Sequence, residues 1–168
     1  MIAEWLVIFA LPALLAVAAG WDLASFTIPN FLQAALLAAF VAFAIAVGLS
    51  LPAIGYHLLA GVAGLAIGFA LFALGYIGGG DAKLFAVLML WLGFGDILAY
   101  ALFASLFGGA LTLGLLFLRN LPLPSLLARQ GWIVRLHDEK SGIPYGVALA
   151  LGAFWILPQS QIFHLAAA

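Results

Sequence analysis

Long runs of apolar residues, each near the length of a bilayer crossing, alternate with short polar breaks along this chain. A spanning helix needs roughly 20 predominantly apolar residues. That rule predicts a first span over about Ile2 to Gly20. A polar break follows at Trp21-Asp22-Leu23-Ala24-Ser25-Phe26-Thr27-Ile28-Pro29-Asn30, and a second span covers about Phe31 to Leu49. Ser50-Leu51-Pro52-Ala53 reads as a short turn, with Pro52 suited to a helix start. A third span, about Gly55 to Tyr76, ends at Ile77-Gly78-Gly79-Gly80-Asp81-Ala82-Lys83. The fourth, about Ala82 to Leu92, is short for a crossing; it draws on Gly80 to Gly95, with tilt or local thinning making up the rest. Gly93-Phe94-Gly95-Asp96 is the next turn, and a fifth span runs about Ile97 to Leu118. Arg119 to Gly142 is the one sizeable polar loop. A sixth span, about Ile143 to Leu157, precedes a short tail.

Composition turns this pattern into a class. The 168 residues are 68% hydrophobic and 7% charged, whereas soluble domains are about 45–50% apolar. The expectation is an all-α integral membrane protein, a single domain of about six transmembrane helices, because lipid leaves no partner for an unpaired backbone group. Continuous Leu/Ala/Phe-rich runs lack the alternation of roughly ten-residue barrel strands. With no cysteine there is no disulfide frame, thiol nucleophile or cysteine metal site. A net charge of −1 argues against a nucleic-acid partner. Ala16-Val17-Ala18-Ala19-Gly20 could pass for a signal-peptidase site. The residues before it carry Glu4 and no Lys or Arg, so the first span is expected to be retained.

Charge gives orientation. Lys83, Arg119, Arg129, Arg135 and Lys140 all fall at the exits of odd-numbered spans. The positive-inside rule makes those exits cytoplasmic and puts both termini outside. Asp22 and Asp81 then share the cytoplasmic face at similar depth. Within the loop, Ser125 is placed to cap a short amphipathic helix through Arg135 that lies on the membrane surface, with Trp132 at the interface. His137-Asp138-Glu139-Lys140 reads as a solvated turn. Gly61, Gly64 and Gly68, and Gly108, Gly109 and Gly114, are expected to let helices approach closely.

Asp22 and Asp81 are the candidate chemistry. A carboxylate at a helix centre costs on the order of 2.5–3.5 kcal/mol on insertion scales, and less near the interface. Two at one depth repel if both are ionised, and sharing one proton leaves an acid beside a base. That pair can activate a water and protonate a scissile carbonyl. The glycines before Asp81 leave room for a substrate backbone and let the helix break. The plainer alternative makes Asp22 a juxtamembrane charge and Asp81 a helix cap. Asp96 reads as a turn or cap residue on the opposite face, and Lys83 as a snorkelling side chain. His57, His137 and His164 lack metal-ligand spacing, and no cofactor or metal is expected.

Gly78-Gly79-Gly80-Asp81 fits a Gly-x-Gly-Asp signature, continued by Ala82-Lys83-Leu84. Together with Asp22-Leu23, Thr27-Ile28-Pro29-Asn30 and Ile143-Pro144-Tyr145-Gly146, it resembles the type IV prepilin peptidase family, in its short Flp/Tad-pilus subtype. The resemblance covers about residues 10 to 155. It implies that Asp22 and Asp81 are a catalytic dyad, with Gly78, Gly80, Pro29, Asn30, Pro144 and Gly146 as motif residues around it. It further implies an aspartic endopeptidase of the bacterial inner membrane. The partner would be a prepilin whose basic leader is cut off at the cytoplasmic boundary of the bilayer, within a pilus or secretion assembly. Two features depart from the family. Leu23-Ala24-Ser25-Phe26-Thr27 carries none of the basic residues often found there. The cytoplasmic domain with paired cysteines of the bifunctional members is missing, so no methyltransferase activity is expected. The residues alone leave two other classes open: a small proton-coupled transporter or channel subunit using the carboxylates as a relay, and a structural subunit of such an assembly.

Overall fold

The computed structural model describes residues 1–167, and every regular element among them is helical. Helix α1 spans Ile2–Ser25. It widens into a π-helical turn over Leu6–Ala10, just ahead of Pro12, which has no N–H to offer the carbonyl of Ile8. The helix therefore continues past Gly20, and Asp22 lies within its last turn rather than in the break beyond it. It stops where Phe26 enters the left-handed region (φ 56°) and donates its N–H to Asp22 O at 2.7 Å. An extended Pro29 (φ −61°, ψ 143°) starts α2, Asn30–Ala46. Ser50 Oγ accepts from Ala53 N at 3.4 Å at the start of α3, Leu51–Ala73; Pro52 lies in its first turn, as the sequence predicts.

Helix α4 is continuous over Gly79–Arg119, 41 residues. A straight helix of that length would measure about 60 Å, twice a hydrocarbon core. It is not straight. Gly93 has φ 65° and ψ −178°, a conformation essentially restricted to glycine. Phe85 stacks on Tyr100 with ring centroids 5.9 Å apart, whereas fifteen residues along one straight helix are about 22 Å apart. The run is therefore two legs folded back on each other, residues 79–92 and 94–119. Reversal at Gly93 frees the carbonyl of Leu90, and His57 Nδ1 contacts it at 2.8 Å. The expected four-residue turn from Gly93 to Asp96 reduces to one glycine. Asp96 is helical, and its Oδ2 accepts from Gln161 N at 3.1 Å.

The legs pack through small residues. On α3, a Cβ added at Gly61 would meet Leu90 at 3.1 Å, one at Gly64 Met89 Sδ at 2.7 Å, and one at Gly68 Ala82 O at 2.9 Å. Residue numbers rise on α3 as they fall on the first leg, so the two are antiparallel. The second leg runs antiparallel to α6 (Tyr145–Ile156, named below), with Gly152 tight against Ala104 and Gly108 facing Tyr145 and Ala148. Close backbone approach is what drives helix association where lipid removes the hydrophobic contrast. Gly109 and Gly114 differ from expectation: nothing lies within 4 Å of a Cβ at either. Trp91 is fully buried beside Phe40 and Phe43 and donates Nε1–H to Leu36 O at 3.1 Å.

After Arg119 the loop holds a 3-10 turn at Leu127–Arg129 and a separate helix α5, Gly131–His137. The extended Gln130 (ψ 109°) splits them, so the predicted helix from Ser125 is shorter and starts later. Helix α6, Tyr145–Ile156, then leads through a 3-10 turn into α7, Gln161–Ala167. Among the described residues, three helices are long and apolar enough to cross a membrane, or four if the pair Tyr145–Gln159 and Gln161–Ala167, bent by 49°, counts as one. That is fewer than the six expected. The difference arises because α4 is a single helical run in two legs and α2, at 17 residues, is short.

Candidate active site

Asp22 and Asp81 come from different helices, and both are buried, with 3% and 6% of their surfaces exposed. Each is held by backbone. Asp22 Oδ2 accepts from Gly146 N at 2.8 Å. That donor is a free N–H of the first turn of α6, which suits an anion. Asp81 Oδ2 accepts from Gly78 N at 3.0 Å, reaching back over its own first helical turn in the manner of half a capping box. Neither carboxylate is in an ion pair among the described residues; the ion pair found there joins Met1 to Glu4. Asp81 Oδ1 is buried with no hydrogen-bond partner among the described residues.

The motifs interlock. Ile28 lies between the two acidic segments: a Cβ at Gly80 would stand 3.1 Å from Ile28 N, and one at Gly146 only 2.7 Å from Ile28 Cδ1. Lys83 does not simply snorkel, since its Nζ donates to Asn30 Oδ1 at 2.8 Å. That bond ties the segment after the first Asp to the segment after the second. Pro29 starts α2, and Pro144 precedes α6. Gly78 and Gly80 therefore lie within three residues of Asp81, and Pro144 and Gly146 at the start of the helix that holds Asp22, while Pro29 and Asn30 reach the site through Ile28 and Lys83. One residue the sequence reading passed over also belongs here. Gln33 is buried and donates Nε2–H to Gly80 O at 3.3 Å. It is the only polar side chain in α2 after Asn30, a signal that was available. Arg119, expected as a cytoplasmic charge, is also buried, and its side chain turns to the carbonyls of the loop.

The remaining candidates stand apart. His57 serves the Gly93 reversal, and Asp96 the start of α7. No group of three or more His, Asp or Glu side chains able to hold a metal ion occurs among the described residues.

Two buried carboxylates in an apolar helical assembly mark the candidate site of a membrane protein. Its kinship is given by the sequence. The chain matches the model of the type IV leader peptidase family over residues 9–113, and it belongs to that family. The matched region contains both acidic residues and stops short of Gly146. No curated protein and no solved structure matches the chain.

Proposed function

We propose that this protein is an intramembrane aspartic endopeptidase in which Asp22 and Asp81 form the catalytic pair. It removes the basic leader from Flp-like prepilins at the cytoplasmic boundary of the bacterial inner membrane. The observation that carries this reading is two carboxylates buried with no ion pair among the described residues, Asp22 held by the N–H of Gly146 and Asp81 keeping one buried oxygen without a partner. A capping or juxtamembrane role would leave each Asp serving its own helix in contact with water. Here Asp22 instead reaches a helix 124 residues further along the chain.

The chemistry needs no more than these groups and a water. One ionised carboxylate takes a proton from the water as its oxygen attacks the scissile carbonyl carbon. The other carboxyl, protonated, donates to the carbonyl oxygen. The tetrahedral diol collapses, the C–N bond breaks, and the amine leaves with the proton held by the first carboxyl. Gly78, Gly79 and Gly80 keep side chains off the approach to Asp81. The proposed topology has six crossing segments: α1, α2, α3, the two legs of α4, and α6 with its continuation. Both termini lie on the outer side, and Lys83, Arg119, Arg129, Arg135 and Lys140 on the cytoplasmic side, in accord with the positive-inside rule.

The test is co-expression with a candidate prepilin and a mobility-shift readout. Wild type converts the precursor. Asp22→Asn and Asp81→Asn insert normally and leave the precursor uncut. Cleavage at the wild-type rate by either variant overturns the assignment.

A further inference from the structure

Arg119 ends the second leg of α4, and the residue is nine-tenths buried. It makes no ion pair among the described residues. Instead it grips two backbone carbonyls on either side of the loop's last turn: Nε donates to Leu136 O at 3.0 Å and Nη2 to Gly142 O at 2.9 Å. Between them the chain closes a turn, with Ser141 N on Asp138 O at 3.0 Å and Lys140 N on Asp138 Oδ1 at 2.9 Å.

The link from Gly142 to the site is short and stiff. Pro144 (φ −75°, ψ 83°) forms an inverse γ-turn, closed by Tyr145 N on Ile143 O at 2.9 Å. Its ring fixes φ and restricts Ile143 before it. Two residues later Gly146 donates to Asp22. At that point there is no slack: a Cβ on Gly146 would stand 2.8 Å from Asp22 Oδ2 and 3.1 Å from Asp22 Cβ.

We propose that Arg119 is a positioning residue: by clamping Leu136 O and Gly142 O it sets where α6 begins, and so holds the Gly146 N–H against Asp22. A bidentate, rigid donor suits this task, because one side chain fixes two carbonyls at once. The assignment of a catalytic consequence rests on the peptidase reading above. The assignment of the clamp does not, and the test separates the two.

The experiment is amide hydrogen exchange on the purified full-length protein in micelles, followed by prepilin cleavage kinetics. Arg119→Ala is expected to speed exchange at Gly146 and Val147 by about tenfold or more, while amides of α3 and the first leg stay protected. Arg119→Gln, neutral but still a donor, is the second variant should Arg119→Ala fail to fold, and falls between the two. Arg129→Ala, an exposed arginine of the same loop, leaves exchange and cleavage at wild-type levels. In cleavage, Arg119→Ala lowers kcat by about 10- to 100-fold with KM little changed, and Arg119→Lys recovers part of the loss. Unaltered exchange at Gly146 in both Arg119→Ala and Arg119→Gln overturns the clamp, whatever the activity. Faster exchange with no prepilin cleavage by wild type keeps the clamp and overturns the peptidase reading.

Discussion

The carboxylate of Asp22 and the backbone N–H of Gly146 meet at 2.8 Å across 124 residues of chain. The bond needs a glycine, because a Cβ at 146 would meet Ile28 Cδ1 at 2.7 Å and Asp22 Oδ2 at 2.8 Å. Gly146→Ala is therefore expected to push α6 off α1 and to weaken the hold on Asp22. Overpacking of this kind costs about 1–3 kcal/mol of stability. Misplacement of a catalytic group costs roughly 100-fold in rate. Melting temperature in micelles and prepilin cleavage read the two separately. Wild-type behaviour in both would show that the contact is not constraining.

Neutralising either carboxylate should stop chemistry without unfolding the protein. Asp22→Asn and Asp81→Asn are each expected to lower cleavage by about 1,000-fold or more. The double variant should be no worse than either single one, since groups acting as a unit are non-additive. Single-turnover cleavage of a purified precursor checks this. Independent, multiplying losses would point to two separate roles.

The glycines divide into those that are needed and those that are not. Gly68 packs on the backbone of Ala82, where an added Cβ would lie 2.9 Å from a carbonyl oxygen. Gly114 faces open space. Gly68→Ala should destabilise the protein by about 1–3 kcal/mol. Gly114→Ala should stabilise its helix by about 0.5–1 kcal/mol, because alanine loses less backbone entropy. Unfolding of both variants under identical detergent conditions is the comparison, and equal midpoints would contradict the packing argument.

The reversal in α4 makes a further demand. At Gly93 (φ 65°, ψ −178°) a substituted residue is strained, with a cost of order 1–3 kcal/mol, and its Cβ would also meet Tyr56 at 3.1 Å. Replacing His57 with Phe strips the partner from the freed Leu90 carbonyl, at about 1–3 kcal/mol. Both variants should loosen the approach of the two legs at positions 85 and 100, where Phe85 stacks on Tyr100. Cysteine pairs at these two positions, cross-linked in the Cys-free background, report it: high efficiency in the parent and reduced efficiency in Gly93→Ala. Equal efficiency in both would argue that the two legs meet without the glycine.

Part of the candidate site is legible from residue types alone. The two carboxylates stand out because an apolar chain has few ionisable groups, and a shared face is the expectation from where the lysines and arginines fall. The glycines of α3 at 61, 64 and 68 were legible as packing residues because small side chains recur there at helical spacing. Gln33 was overlooked, although a lone amide in an apolar helix seeks a partner. The inward turn of Arg119 was not legible. Its sequence context is that of any cytoplasmic arginine, and the carbonyls it grips belong to a loop whose path depends on tertiary contacts.

By itself, then, the sequence determined the solvent, the helical class and the identity of the unusual groups. These follow from local hydropathy and from the cost of burying charge. Only the tertiary structure decided the partners: Gly146 for Asp22, Asn30 for Lys83, Tyr100 for Phe85. Each pair is remote in sequence or folded through a single glycine. Hydropathy scores each residue against lipid or water and carries no information about which neighbour it meets. Close packing of backbones through glycine, and backbone N–H groups left free at helix starts, settle that in three dimensions.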